Sequence, residues 1–110
     1  MLEKTTEMNL LYDFYGSLLT EKQQQLLEMY YVEDWSLGEI AEHNGVSRQA
    51  VFEAIKRAKQ SLSEFEAKLG LMRHYIQRQK IAEQVLHLLQ DLPEIKQQVQ
   101  PLIVQMVDQD

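Results

Sequence analysis

Apolar residues recur three and four positions apart along this 110-residue chain, and no stretch alternates with period two. The pattern therefore predicts an all-α protein. Met8, Leu11, Tyr12, Tyr15, Leu18 and Leu19 fall on one stripe of a first helix. Thr20 with Gln23 three residues on is a capping box, in which each side chain satisfies the other's backbone amide. It starts a second helix at Glu21, with Leu26, Leu27, Tyr30 and Tyr31 inward and an end at Glu33 and Asp34. Ser36 caps a short third helix reaching about His43, with Leu37, Ile40 and Ala41 on its apolar side. Asn44-Gly45 ends it, because both residues tolerate the left-handed conformation of a helix C-terminus. Val46 is expected to be buried in the turn, and Ser47 caps a fourth helix beginning at Arg48. With no glycine or proline before Gly70, that helix runs about 22 residues, or roughly 33 Å.

Past Gly70 the pattern continues with Met72, Tyr75, Ile76, Ala82, Val85, Leu86 and Leu89 in a helix over 71–92. A last segment carries Ile95, Val99, Leu102, Ile103, Met106 and Val107, where Pro101 removes a backbone donor and should kink or split the helix. The division expected is a domain over 1–70 and a C-terminal helical extension over 71–110. The extension is too apolar to lie in water alone, so its helices should pack on the first part, on each other or on a partner chain. An isologous homodimer, or a swapped oligomer, is the expected assembly.

Composition narrows the chemistry. With no cysteine, disulfides, thiol catalysis and cysteine-ligated zinc are excluded. No apolar run approaches the roughly 18 residues of a membrane span, and the first residues lack the basic start and apolar stretch of a signal peptide, so no membrane association and a cytoplasmic location are expected. His43, His74 and His87 lie far apart and show no metal-binding spacing. His43 reads as a residue of a helix's last turn that favours the helix dipole. No phosphate loop, nucleophile elbow or paired-carboxylate signature is present, so no catalytic residue, metal or cofactor is assigned, and a non-enzymatic protein is expected. Tyr12, Phe14, Tyr15, Tyr30, Tyr31 and Trp35 follow the helical stripe and read as core.

Two short capped helices joined by Asn44-Gly45-Val46-Ser47 read as a helix-turn-helix. Ala41 is small where the helices cross, Gly45 allows the tight turn, and Val51 and Ile55 face inward on the second helix. The run Leu19-Thr20-Glu21-Lys22-Gln23, Leu26-Leu27-Glu28-Met29-Tyr30-Tyr31, Ser36-Leu37-Gly38-Glu39-Ile40-Ala41-Glu42 and Gly45-Val46-Ser47-Arg48-Gln49-Ala50-Val51 resembles region 4 of sigma-70-type factors, which binds the promoter −35 element. More closely, the chain resembles the YlxM family of small bacterial helix-turn-helix proteins. That match is carried by Asn9-Leu10-Leu11-Tyr12-Asp13-Phe14-Tyr15-Gly16-Ser17-Leu18-Leu19-Thr20, the helix-turn-helix, and Val51-Phe52-Glu53-Ala54-Ile55-Lys56-Arg57. It covers about the first 70 residues strongly and the rest loosely. The resemblance implies a regulatory protein of the signal recognition particle pathway, a link resting on gene neighbourhood with the particle's GTPase.

With Val51, Ile55 and Ala58 inward, the fourth helix turns Arg48, Gln49, Phe52, Glu53, Lys56 and Arg57 outward, with Lys59 near its far end. Together with the cap Ser47 these are the candidate nucleic-acid-binding residues. Arg48 and Gln49 suit guanine and adenine edges or phosphate, and Lys56, Arg57 and Lys59 suit phosphates. Glu53 and Phe52 depart from a sigma-type helix. Three readings follow: a face that reads DNA, a face that binds RNA or protein through Phe52, and a solvated stripe. The protein reading has the signal recognition particle or its GTPase as partner. The net charge of −6 is unevenly spread. Residues 1–35 hold seven acids and two bases for −5, residues 36–60 three acids and four bases for +1, and residues 61–110 seven acids and five bases for −2. The one basic excess is on the candidate recognition helix, which predicts weak, salt-sensitive or dimer-dependent binding.

Overall fold

The computed structural model describes residues 4–108, which contain helices and no strand. In order these are α1 (Lys4–Tyr15), a 3-10 turn (Gly16–Leu18), α2 (Glu21–Leu27) prolonged by a π turn (Glu28–Val32), α3 (Leu37–Asn44), α4 (Arg48–Leu69), α5 (Leu71–Leu88) and α6 (Pro93–Asp108). The chain divides after Gly70 into two compact units.

In the first unit α4 is the spine against which α1, α2 and α3 pack. Val51, Ile55, Ala58 and Leu62 recur at helical spacing along its buried side, and they form the core with Leu11, Tyr15, Leu19, Leu26, Leu27, Ile40 and Ala41. Tyr15 is completely buried and its hydroxyl donates to Glu66 Oε1 at 2.6 Å, while its ring lies 6.0 Å from that of Phe65. One residue thus fastens α1 to the far half of α4. Three side chains start the helices. Gln23 N–H donates to Thr20 Oγ1 (3.2 Å) and Thr20 N–H to Gln23 Oε1 (3.1 Å), Ser36 and Glu39 exchange the same pair of bonds, and Ala50 N–H donates to Ser47 Oγ (3.0 Å).

Several local expectations are revised. The first helix stops at Tyr15, because the following 3-10 turn is held by Gln24, whose side-chain amide donates to the carbonyls of Gly16 (2.8 Å) and Leu19 (3.3 Å). That turn leaves Leu18 56 % exposed and buries Leu19. Val46 is likewise exposed rather than buried. Its amide closes a Schellman turn by donating to the Ala41 carbonyl at 3.1 Å, and Ile40, Ala41 and Val51 supply the buried contact in its place. Of the six aromatic residues assigned to the core, Tyr15 alone is fully buried and the others are half-buried. Trp35 sits edge-on to His43, with ring centroids 5.2 Å apart.

Gly45 closes α3 with φ +66, and a Cβ built there meets nothing within 4 Å. The cost of Gly45→Ala is therefore backbone strain alone. We expect about 1–2 kcal/mol of lost stability, measured as a lower urea midpoint with an unchanged m-value.

In the second unit α5 and α6 pack on each other across a turn closed by Leu89 N–H to Leu86 carbonyl (3.2 Å) and Leu92 N–H to Leu89 carbonyl (2.9 Å). Met72, Ile103 and Val107 are its buried apolar residues. Pro101 neither splits nor ends α6, which is continuous from Pro93 to Asp108. Pro101 and Gln97, whose carbonyl loses its partner, are both exposed residues.

Candidate nucleic-acid interface

The Ser47 cap fixes where α4 begins, and so places Arg48 and Gln49 in its first turn. There the unpaired amides and the helix dipole favour an anion, and the helix N-terminus is also the part of a recognition helix that meets base edges. Because α3 ends at Gly45 and α4 is packed along its length, this terminus is presented on a rigid element. Arg48, Gln49, Lys56 and Arg57 are exposed, Phe52 is 47 % exposed, and Glu53 and Lys59 are half-buried.

Four of the candidates, Ser47, Gln49, Glu53 and Lys59, are engaged with neighbours. Gln49 Nε2 donates to Glu53 Oε1 at 3.0 Å, one turn further on, which occupies one of the two N–H donors of that amide. Lys59 lies with its Nζ 5.8 Å from the centre of the Tyr31 ring, on the α2 side of the helix and apart from Arg57. The structure thus gathers Arg48, Gln49, Phe52, Glu53 and Lys56 on one face, with Arg57 one turn past Glu53.

Phe52 is not an isolated apolar residue. It shares one hollow, of about 440 Å³, with Leu37, Arg48 and Gln49, and a second, of about 340 Å³, with Tyr30, Tyr31, Leu37, Ile55, Lys56 and Lys59. Leu37 and the tyrosine pair therefore border the site, which helical periodicity alone did not indicate, since it assigned all three to the core. Tyr30 and Tyr31 pack edge-to-face with centroids 5.0 Å apart.

The α3 cap has its own electrostatics. Hydrogen bonds from the Ser36 backbone and side chain hold the Glu39 carboxyl below its ordinary pKa. A carboxyl whose folded pKa is depressed adds stability above the unfolded value and loses it as pH falls through the folded one. We expect the acid limb of a melting profile, between about pH 5 and 3, to be shallower in Glu39→Gln than in the parent. Equal slopes would show that the cap does not titrate with folding. The serine-to-glutamate spacing of this second capping box was legible in the sequence as Ser36-Leu37-Gly38-Glu39.

Comparison with known proteins gives concordant matches. A family model described as "Putative helix-turn-helix protein, YlxM / p13 like" matches residues 2–102. The protein named UPF0122 protein lin1916 of Listeria innocua is 54% identical over 85 residues, 77% of each chain. UPF0122 protein BcerKBAB4_3669 of Bacillus mycoides is 46% identical over 103 residues, 94% of each chain, and UPF0122 protein BCAH187_A3894 of Bacillus cereus is 45% identical over the same length and coverage.

Proposed function

This chain belongs to the UPF0122 family of YlxM/p13-like helix-turn-helix proteins, and from that premise we propose that it is a cytoplasmic regulator that acts by binding nucleic acid, duplex DNA first, through the start of α4. The observation that carries the reading is the Ser47-capped N-terminus of α4, with Arg48 in its first exposed turn and Lys56 and Arg57 further along. These residues lie in the one segment of an acidic chain with a basic excess. The resemblance to the YlxM proteins is what supports assigning this regulator to the signal recognition particle pathway, and that assignment is part of the proposal.

Salt dependence tests the proposal. Three phosphate contacts give a slope near −2.7, so duplex affinity should fall about 40-fold between 50 and 200 mM salt. A second reading is favoured by Phe52 and the apolar hollows beside it: a contact with the signal recognition particle or its GTPase, anchored by Phe52. Binding of the purified GTPase that survives nuclease and changes little with salt, together with no duplex binding at 50 mM, would replace the first reading by the second.

We also propose a homodimer formed through the second unit. Ile95, Leu102 and Met106 recur on α6 at i, i+7 and i+11 and are 47 %, 63 % and 69 % exposed, a stripe of the kind that pairs in helical bundles. Sedimentation at micromolar concentration should show a dimer that Leu102→Glu with Met106→Glu dissociates. A monomeric parent overturns this assembly.

A further inference from the structure

α1 and α2 part along one side of the first unit to leave a cleft of about 410 Å³. One wall is Met8, Asn9, Tyr12 and Asp13 of α1, and the other is Leu27, Glu28, Tyr31 and Val32 of α2 and its π turn. Each wall is built of residues four apart, 8 with 12 and 9 with 13, 27 with 31 and 28 with 32. The groove therefore runs between two helix faces, the geometry that receives a third helix. The walls close on each other through one bond, Tyr12 hydroxyl to Glu28 Oε1 at 2.9 Å. Burial and the Glu28 carboxylate raise the Tyr12 pKa, which keeps the phenol a donor to Glu28.

Two properties of this groove select an occupant. It exposes apolar surface, because the wider π turn leaves Val32 71 % exposed beside Leu27 and Tyr31. Its charged lining is of one sign: Asp13 and Glu28 lie on opposite walls, no lysine or arginine among the described residues lines it, and residues 1–35 carry −5. Nucleic acid is repelled by such a surface, and so is an acidic peptide.

We propose that the cleft between α1 and the π turn of α2 is a docking groove for a basic amphipathic helix. A large apolar side chain of that helix seats against Tyr31 and Val32, and its lysines or arginines meet Asp13 and Glu28. The groove shares Tyr31 with the rim of the α4 face but contains none of Arg48, Lys56 and Arg57, and it makes the protein an adaptor, with a basic surface on one element and an acidic receptor on another.

The test uses the full chain and three labelled synthetic peptides read by fluorescence anisotropy: an amphipathic lysine/leucine helix, its glutamate/leucine counterpart, and a scrambled lysine/leucine peptide of equal composition. The first should bind at least tenfold more tightly than the other two. Asp13→Lys with Glu28→Lys, and separately Val32→Lys, should each weaken it at least tenfold. Glu64→Lys with Glu83→Lys, which makes the same charge change at exposed sites outside the groove, should leave it within twofold. Val32→Lys alters a side chain already in solvent, so it remains informative if losing the Tyr12–Glu28 bond unfolds the charge-reversed variant. Equal binding of the scrambled peptide, or equal loss in the control variant, would reduce the effect to bulk charge and overturn the proposal. So would a peptide affinity that follows dissociation of a dimer rather than the groove substitutions. Arg48→Ala with Lys56→Ala should leave peptide binding intact, so failure here and failure of the α4 reading are separately visible.

Discussion

Arg48→Ala combined with Lys56→Ala should abolish retention of duplex DNA at about 50 mM salt while leaving the protein folded. An arginine at a base edge or phosphate contributes about 1–3 kcal/mol, and each phosphate-bound lysine adds close to one unit of salt slope. Together the losses reach about 2–4 kcal/mol, on the order of 10²-fold in affinity, and a weak binder has no such margin. Both side chains are exposed on an element whose packing is on its other side, so stability should change by no more than about 0.5 kcal/mol. A gel-shift series with matched melting curves measures both quantities. Undiminished retention in the double variant would remove α4 as the duplex-binding element.

The largest loss of stability is expected at Tyr15. Its ring is completely buried between α1 and the far half of α4, so Tyr15→Ala removes that packing and opens a cavity, at a cost of about 3–5 kcal/mol. Tyr15→Phe keeps the ring and deletes the hydroxyl with its 2.6 Å bond to Glu66, which should cost about 1–2 kcal/mol. Urea unfolding of the pair separates shape from hydrogen bonding. A cost below about 1 kcal/mol for the alanine variant would mean that α1 is not anchored there.

The elements that sequence reading recovers are those governed by neighbours within a few residues. The Thr20 and Ser47 caps, the glycine stop at Gly45 and the inward stripe of Val51, Ile55 and Ala58 each depend on local geometry, and all are present. The departures have distant causes. The 3-10 turn at Gly16–Leu18 needs Gln24 to reach back eight residues, and the half-burial of Phe14, Tyr30 and Tyr31 depends on how much of each ring α4 covers. Helix continuity through Pro101 depends on that residue facing water. At the candidate site the outward positions Arg48, Gln49, Phe52, Lys56 and Arg57 follow from periodicity and are exposed. The Gln49–Glu53 bond is also a local, one-turn pairing. Leu37 beside Phe52, and Lys59 turned to Tyr31, are tertiary juxtapositions that no one-helix pattern contains.

Because α4 is a single uninterrupted helix, a tilt about its buried far half as fulcrum would carry its tip and the α3 helix packed on it together. Leu62 is fully buried and lies fourteen residues from Arg48, a distance of about 21 Å along the axis. A tilt of about 5° at that fulcrum moves the Arg48 end by roughly 2 Å, more than half the 3.4 Å rise between successive nucleotides of one strand. Side-chain volume at Tyr15, Leu62 and Phe65 therefore sets the aim of a tip that none of them touches. Cavity-creating changes at that end should shift which nucleotides Arg48 reaches before they weaken binding as a whole.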